Sequence, residues 1–340
     1  MWQTMSFRLF SFLPLFVGLV MALSGISHTA HATTTGQSFS QWMESFSAEA
    51  RAQGISEPTI SAALSGLSPN DRVIELDRRQ PEGTMSFATY RERVVNQTRI
   101  NQGRQMMAKH ADLLARTEER FGVAPQYIVA LWGIETNFGG NTGGFDVIRS
   151  LATLAWEGRR ADFFRGELLH ALRIIDQGHI DRDSMTGSWA GALGQVQFMP
   201  SSFHNLAVDG DGDGKIDIWN NLSDAFASAA NYLVRNGWTS GQRWGREVRL
   251  PSGFSDTHIT TNTREPKQKT LAEWRDMGLT MPGGSDLPVV DGMRAYLVAP
   301  DGVTGPVYLV YDNYTTIMRW NRSTYFATSV GLLADAIARQ

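Results

Sequence analysis

Apolar residues recur at helical spacing from about residue 38 to residue 238, and the interruptions fall at Gly and Pro. One stripe with i, i+3, i+4, i+7 spacing is formed by Phe39, Trp42, Met43 and Phe46. Such stripes predict helices that bury one face. Further helices are predicted over residues 57–64, 84–121 and 225–234. The polar face of the 84–121 pattern is rich in Arg, Gln and Asn, which is typical of a solvated helix surface.

The pattern changes after about residue 245. Segments of alternating or β-branched and aromatic residues lie between Pro, Gly and Asp turns at 247–250, 293–298 and 307–311, which predicts strands. One short helix is predicted around 271–277. The chain ends in a helix whose apolar face is formed by Phe326, Val330, Leu333 and Ile337. The predicted fold class is therefore mainly α with a small β module (α+β).

This pattern predicts helical domains at 33–245, a small β-rich domain at 246–315 and, at 316–340, a C-terminal segment and helix that return to the helical core. Residues 1–32 are predicted to be a cleaved signal peptide. They carry one charge, Arg8, then an apolar run and a small-x-small cleavage site that ends at Ala32. The run is just long enough to span a bilayer, so an uncleaved anchor is the alternative.

Composition narrows the classes of function. The 340 residues are 42% hydrophobic and 19% charged, which is typical of a globular protein. The net charge of -3 offers no basic surplus for a phosphate backbone, so nucleic acid is not an expected partner. The chain has no cysteine, which excludes a disulfide, a thiolate nucleophile, a zinc-thiolate site and a cysteine-linked lipid anchor.

Glu135 interrupts the apolar face of a helix that we predict to be buried on most sides. Pro125 suits the first helical position, and Gly139 follows the last turn. Burial disfavours a charged carboxylate, and so does the helix dipole in a C-terminal turn, so both raise the pKa of this side chain. A general acid that works near neutral pH needs that property. The alternative is a structural Glu paired with an Arg or a backbone amide.

Residues 187–202 combine small residues, amides and hydroxyls with Trp189 and Phe198. Amide and hydroxyl groups hydrogen-bond sugar hydroxyls and N-acetyl groups, while aromatic rings stack on the C–H face of a sugar. The stretch therefore suggests sugar recognition, although small residues at this density also serve close helix packing.

Residues 209–217 fit the D-x-D-x-D-G-x-I-D start of an EF-hand loop, in which Gly214 allows the sharp turn. We expect a calcium-type loop over 209–224 with ligands from Asp209, Asp211, Asp213, the Lys215 carbonyl and Asp224. Asn220 replaces the usual bidentate Glu, and Asp224 is the nearest substitute. A solvated Asp/Gly turn is the alternative, and a calcium sensor would need a second such loop.

Five motifs resemble those of membrane-bound lytic murein transglycosylase B and its soluble relatives, in the same order. They lie at 132–139, 159–164, 187–202, 209–217 and 319–323. The resemblance implies a lysozyme-like helical core with an additional helical domain and a small β domain. It also implies a soluble periplasmic form, because the chain has no lipobox cysteine.

The resemblance implies that Glu135 is the single catalytic acid/base. It also assigns the substrate cleft to Tyr90, Arg160, Ser188, Gln197, Phe198 and Asn321, with Trp320 and Phe326 nearby. The last two stand where the family often has tyrosine, which keeps stacking but removes a hydroxyl.

The implied reaction cleaves the β-1,4 bond between N-acetylmuramic acid and N-acetylglucosamine in peptidoglycan and forms 1,6-anhydro-N-acetylmuramic acid. The alternatives are a muramidase-type hydrolase and a non-catalytic peptidoglycan-binding scaffold. No cofactor is expected for the chemistry, and a structural Ca²⁺ is. The expected partners are peptidoglycan glycan strands, with cell-wall synthesis or division proteins as candidates, and we expect a monomer.

Overall fold

The computed structural model describes residues 36–79 and 85–339, so the predicted signal peptide lies outside the described residues. The described chain forms fourteen α-helices and six short strands. The helices are α1 Phe39–Ala52, α2 Glu57–Leu64, α3 Asp71–Arg78, α4 Phe87–Val94, α5 Gln97–Lys109, α6 Ala111–Phe121, α7 Pro125–Thr136, α8 Val147–Glu157, α9 Ala161–Asp176, α10 Pro200–Leu206, α11 Leu222–Arg235, α12 Leu271–Asp276, α13 Asp312–Trp320 and α14 Thr324–Ala338. The strands are β1 Phe145–Asp146, β2 Thr186–Gly187, β3 Gly245–Val248, β4 Lys269–Thr270, β5 Arg294–Val298 and β6 Val307–Val310.

The helix starts follow local capping chemistry. At α1, the Ser38 hydroxyl accepts from the Gln41 N–H while the Gln41 side chain accepts from the Ser38 N–H, which forms a capping box. The helical pattern at 84–121 is divided into α4, α5 and α6. One break falls at Asn96, because its side chain accepts from the Arg99 N–H and so starts a new helix.

The helices share one continuous apolar core that extends from α1 to α14. Helix α7 lies inside it, and it packs against α5, α6, α11 and α14. This explains why most of α7 is apolar on all sides. In the described part of the chain, none of the helices is long and apolar enough to cross a membrane.

The main sheet is antiparallel, with strand order β3-β6-β5-β4. Its central strands are buried on both faces. Tyr296 and Tyr308 face the helical core, whereas Leu297 and Leu309 belong to a second apolar cluster with α12. This two-sided burial explains the continuous apolar runs in β5 and β6.

The segment that contains the sheet enters and leaves the helical body at one place. The Tyr311 N–H donates to the Trp244 carbonyl at 3.0 Å. Trp244 is fully buried, and its ring lies where a side chain at Gly331 of α14 would have to stand. The two ends of the sheet segment therefore meet at a tight junction, while Tyr296 and Tyr308 pack one face of the sheet against the helical core.

Candidate active site

Glu135 lies in the last turn of α7, at the end of an almost wholly buried helix. The helix stops because Asn137 and Phe138 adopt left-handed backbone angles, with φ of 53° and 57°. The Phe138 ring then folds back over Gly133, where a side chain would collide with it. The turn holds the end of α7, and with it Glu135, in one orientation.

The Glu135 carboxyl group is desolvated and accepts a hydrogen bond from a side chain of α13. Trp320 Nε1 donates to Glu135 Oε1 at 2.8 Å. Glu135 as a residue is half-buried, but its carboxyl group lies deep enough that burial raises its pKa to about 8, and the Trp320 hydrogen bond opposes part of that rise. The group is therefore protonated at neutral pH and available as a proton donor.

Aromatic rings surround the Trp320 donor. The Trp320 ring centroid lies 5.2 Å from that of Phe198 and 4.7 Å from that of Tyr232, and the latter two are 5.6 Å apart. The Tyr232 hydroxyl donates to the Arg319 carbonyl at 2.7 Å. These three rings, which we call the aromatic cluster, form an apolar wall beside the carboxyl group.

Tyr232 was not among the residues identified from the sequence. It lies in α11, whose predicted span follows an apolar stripe, so its pattern indicated packing only. Its place in the aromatic cluster depends on α13, which brings Trp320 from far along the chain. The sequence does not distinguish a Tyr232 that packs in the core from one that lies in the aromatic cluster, because the helical spacing is the same in both cases.

Tyr90 approaches Glu135 from α4. Its pKa is raised, chiefly by burial and then by the charge of Glu135, while Arg99 acts in the opposite direction. Its ring packs against Tyr325 at 5.8 Å between centroids. Phe326, the next residue, is buried in the helical core. The structure therefore brings Tyr90 near Glu135 and places Phe326 inside the core of the protein.

Ser188 and Gln197 lie in a tight loop that follows β2. The Ser188 hydroxyl accepts from the Ala192 N–H at 2.9 Å. Gln197 has a left-handed φ of 51°, and its Nε2 donates to the carbonyls of Thr142 and Gly194 at 3.1 and 3.0 Å. These bonds fix both side chains in a loop that also carries Phe198.

Arg160 and Asn321 differ in their surroundings. Arg160 Nη2 contacts Asp77 Oδ1 at 3.1 Å, and its guanidinium lies 4.8 Å above the Phe164 ring. Asn321 directly follows Trp320, and its Oδ1 accepts from the Ser323 N–H at 3.1 Å. Asn321 therefore lies next to the aromatic cluster, whereas the contacts of Arg160 are with α3 and α9.

The calcium-type loop brings three carboxylates together. Among the described residues, Asp209, Asp211 and Asp213 each offer an oxygen within 4.8 Å of the others. Asp209 accepts from the N–H groups of Gly214 and Gly212, at 2.8 and 2.6 Å, and these bonds lower its pKa. Hard oxygen donors in this arrangement fit Ca²⁺.

Asp224 holds the loop from the inside. It is fully buried, and its oxygens accept from the N–H groups of Gly210 and Asp217 at 2.8 and 2.6 Å. The three clustered carboxylates are therefore joined to α11 through a fourth one. The structure uses Asp224 to close the loop across its two ends.

The protein combines a mainly helical body and a small antiparallel sheet with a desolvated carboxyl group beside aromatic rings. These features are typical of an enzyme that cleaves glycosidic bonds by acid catalysis. Residues 38–335 match the family described as Transglycosylase SLT domain. The chain belongs to this family and is a lytic transglycosylase. The family, the fold class and the enzyme class predicted from the sequence are confirmed.

Individual relatives support the same family assignment. The chain is 30% identical to membrane-bound lytic murein transglycosylase B of Escherichia coli (strain K12), over 97% of this chain and 98% of that protein. A structure of SltB3 from Pseudomonas aeruginosa in complex with NAG-anhNAM-pentapeptide has a TM-score of 0.84 and 44% identity, over 89% of this chain and 80% of that one. The Escherichia coli lytic transglycosylase Slt35 in complex with calcium has a TM-score of 0.74 and 30% identity, over 87% of this chain and 92% of that one.

Proposed function

We propose that the protein cleaves the β-1,4 bond between N-acetylmuramic acid and N-acetylglucosamine in peptidoglycan and leaves a 1,6-anhydro-N-acetylmuramic acid end. The observation that carries the proposal is the Glu135 carboxyl group, which burial holds protonated up to about pH 8 beside the aromatic cluster. The solved SltB3 complex with NAG-anhNAM-pentapeptide supports the same product class.

In the first step, Glu135 gives its proton to the glycosidic oxygen, and the bond between that oxygen and C1 of the muramic acid breaks. Trp320 stabilises the resulting carboxylate through its N–H donation. The N-acetyl group of the muramic acid can share the positive charge at C1. A second carboxylate, which ordinary glycosidases use, is therefore not required.

In the second step, the C6 hydroxyl of the muramic acid attacks C1, and the ionised Glu135 takes the hydroxyl proton. The C6–O–C1 bond closes the anhydro ring, and Glu135 regains its starting protonation state. Burial favours this return, because it disfavours the charged form of the carboxyl group. One residue thus serves as acid and then as base.

The neighbouring side chains would hold the sugar in place. Ser188, Gln197 and Asn321 suit the N-acetyl and muramyl groups, and Tyr90 suits a hydroxyl close to Glu135. The half-buried Trp320 suits stacking on the sugar C–H surface, and the buried Phe198 ring supports it from behind. Arg160 and Phe326 are proposed to act at a greater distance, since their contacts lie with Asp77 and in the helical core.

Product mass tests the proposed reaction. Digestion of purified sacculi should release anhydro-muropeptides, which are one water lighter than hydrolysis products. Reducing ends would instead indicate a muramidase-type hydrolase. Intact sacculi in a turbidity assay would indicate a non-catalytic scaffold.

We also propose that the 209–224 loop binds a structural Ca²⁺ through Asp209, Asp211, Asp213 and the Lys215 carbonyl, with Asp224 in support. The close carboxylates favour this, because they repel one another without a cation. The calcium complex of the Escherichia coli relative supports the choice of ion. The chain's own residues then supply all the acid–base chemistry.

We propose a periplasmic protein that is exported by residues 1–32 and works on peptidoglycan glycan strands as a monomer. Cell-wall synthesis or division proteins are proposed protein partners. Cell fractionation with detection of the mature N-terminus tests the location: a protein that starts near Thr33 in the periplasmic fraction is expected, and retention in the membrane with residues 1–32 attached would contradict it.

A further inference from the structure

Gln195 joins two parts of the protein through both ends of its side chain. Its Oε1 accepts from Trp132 Nε1 at 2.8 Å, and its Nε2 donates to the Trp219 carbonyl at 2.9 Å. Its main chain repeats the arrangement. The Gln195 N–H donates to the Ile218 carbonyl at 2.8 Å, and its carbonyl accepts from Thr136 Oγ1 at 2.9 Å.

Two of these bonds end on α7, on either side of Glu135 in the chain. Trp132 lies one turn before the end of the helix, and Thr136 is its last residue. The Thr136 hydroxyl also accepts from the Gly139 N–H at 3.0 Å, across the left-handed turn that ends α7. Gln195 therefore contacts the part of α7 that orients Glu135.

The other two bonds end on residues 218–219, which lie within the calcium-type loop and directly follow its acidic stretch at 209–217. Ile218 and Trp219 are both buried, so this segment is a firm support. Gln195 thus fixes the distance between the end of α7 and a rigid neighbour.

Two glycines leave just enough space for the hydrogen bonds by which Gln195 connects α7 to residues 218–219, which we call the Gln195 bridge. Gly139 has a φ of 80°, and a Cβ there would lie 2.5 Å from Gln195 Oε1. Gly194 has a φ of 63°, and a Cβ there would lie 2.5 Å from the Ile218 carbonyl oxygen. The backbone on both sides is therefore fitted closely around Gln195.

We propose that Gln195 is a positioning residue for the transglycosylase reaction. It holds the end of α7 so that Glu135 meets the glycosidic oxygen. The inference rests on the proposed role of Glu135 as the acid. Gln195 acts through Trp132 and Thr136 and takes no part in proton transfer itself. Small displacements of a reacting group are costly, since about 1 Å can reduce a rate 10²-fold.

The test compares Gln195→Met, which keeps the length of the side chain and removes its polar ends, with Gln242→Met. Gln242 is a matched control, because it is also half-buried and its Oε1 accepts from the Asn313 N–H at 3.2 Å, away from α7. In Gln195→Met we expect kcat to fall about 10–100-fold with KM changed less than about twofold. The alkaline limb of the pH profile should move to lower pH, as water reaches the carboxyl group.

Gln242→Met should have the same kcat and the same alkaline limb of the pH profile as the unmodified protein, even if its melting temperature changes. If Gln195→Met behaves in the same way, Gln195 is merely structural and the proposal is wrong. If that variant does not fold, Trp132→Phe removes the same Oε1 bond from the other side and must give the same kcat loss and limb shift; an unchanged limb there also overturns the proposal. Activity in Glu135→Gln would instead contradict the proposed function itself, whatever Gln195 does.

Discussion

Glu135 and the aspartates of the 209–224 loop have the same functional group, but the surroundings of Glu135 are apolar and those of the loop are polar. Glu135 is set in an apolar helix with one N–H donor, and burial raises its pKa to about 8. Asp209 is partly exposed and accepts from two backbone N–H groups, which lower its pKa. One site keeps a proton and the other keeps a negative charge, so environment alone separates a proton donor from a cation ligand.

The largest effect is expected from Glu135→Gln, which keeps the shape and removes the proton donor. Release of anhydro-muropeptides from sacculi should fall by about 10²–10⁴-fold. The fold should persist, because the neutral amide resembles the protonated acid. An unchanged circular dichroism spectrum is the control, and substantial remaining activity would give the acid role to another group.

The next effect concerns pH. If Glu135 must be protonated to act, kcat/KM should fall about tenfold per pH unit above pH 8. In Trp320→Phe the carboxylate loses its N–H donor, so the falling limb should move to higher pH. A limb near the ordinary pKa of a glutamate would show that the carboxyl group is solvated when substrate binds.

The same raised pKa affects stability. Because the folded-state pKa lies above the ordinary value of 4.5, the folded protein binds more protons than the unfolded chain between pH 4.5 and about 8. The free energy of unfolding should therefore decrease as pH rises through that window, and the Glu135→Gln variant should lack this part of the decrease. Urea midpoints of both proteins at pH 5 and pH 8.5 measure the difference, and parallel changes would contradict it.

Calcium tests the other half of the comparison. An ion that binds only the folded protein adds about 2.7 kcal/mol when its concentration is 100 times its dissociation constant. A thermal melt should therefore shift upward by several degrees with calcium and lose the shift with chelator. The double variant Asp211→Asn, Asp213→Asn should not respond. An equal response of that variant would place the ion elsewhere.

The smallest effect is expected at Glu167, a second buried carboxyl group with a raised pKa. It accepts from the N–H and the hydroxyl of Ser201 at 2.9 and 2.7 Å, at the start of α10. Glu167→Gln should cost about 1 kcal/mol of unfolding free energy and leave activity within about twofold. A large loss of activity, measured on sacculi beside a denaturant titration, would show that burial alone does not separate structural from catalytic acids here.

Much of the fold could be predicted because the patterns are local. The stripe that starts at Phe39 is buried as expected, and so is the face that contains Phe326 and Ile337. The buried setting of Glu135 also follows from its neighbours in α7. Helix breaks were harder, because the Asn96 cap resembles a polar surface residue in the 84–121 pattern.

The unpredicted features join distant segments. Trp320 donates to a residue 185 positions earlier, and no local pattern marks that pairing. Tyr232 looked like ordinary packing until α13 placed Trp320 beside it. The Gln195 bridge likewise depends on contacts with two segments that are separate in sequence. Residue types indicated the chemistry of the site, but tertiary contacts decide which side chains lie together in it.

The Tyr311-to-Trp244 hydrogen bond has a consequence for how this architecture can vary. Since the two ends of the intervening segment meet at this bond, the length of its exposed turns does not set the distance between the helices on either side. Residues could be gained or lost at its turns while α11 and α13 keep Tyr232 and Trp320 in register. The exposed turns of the sheet can thus change in length while the aromatic cluster stays in place.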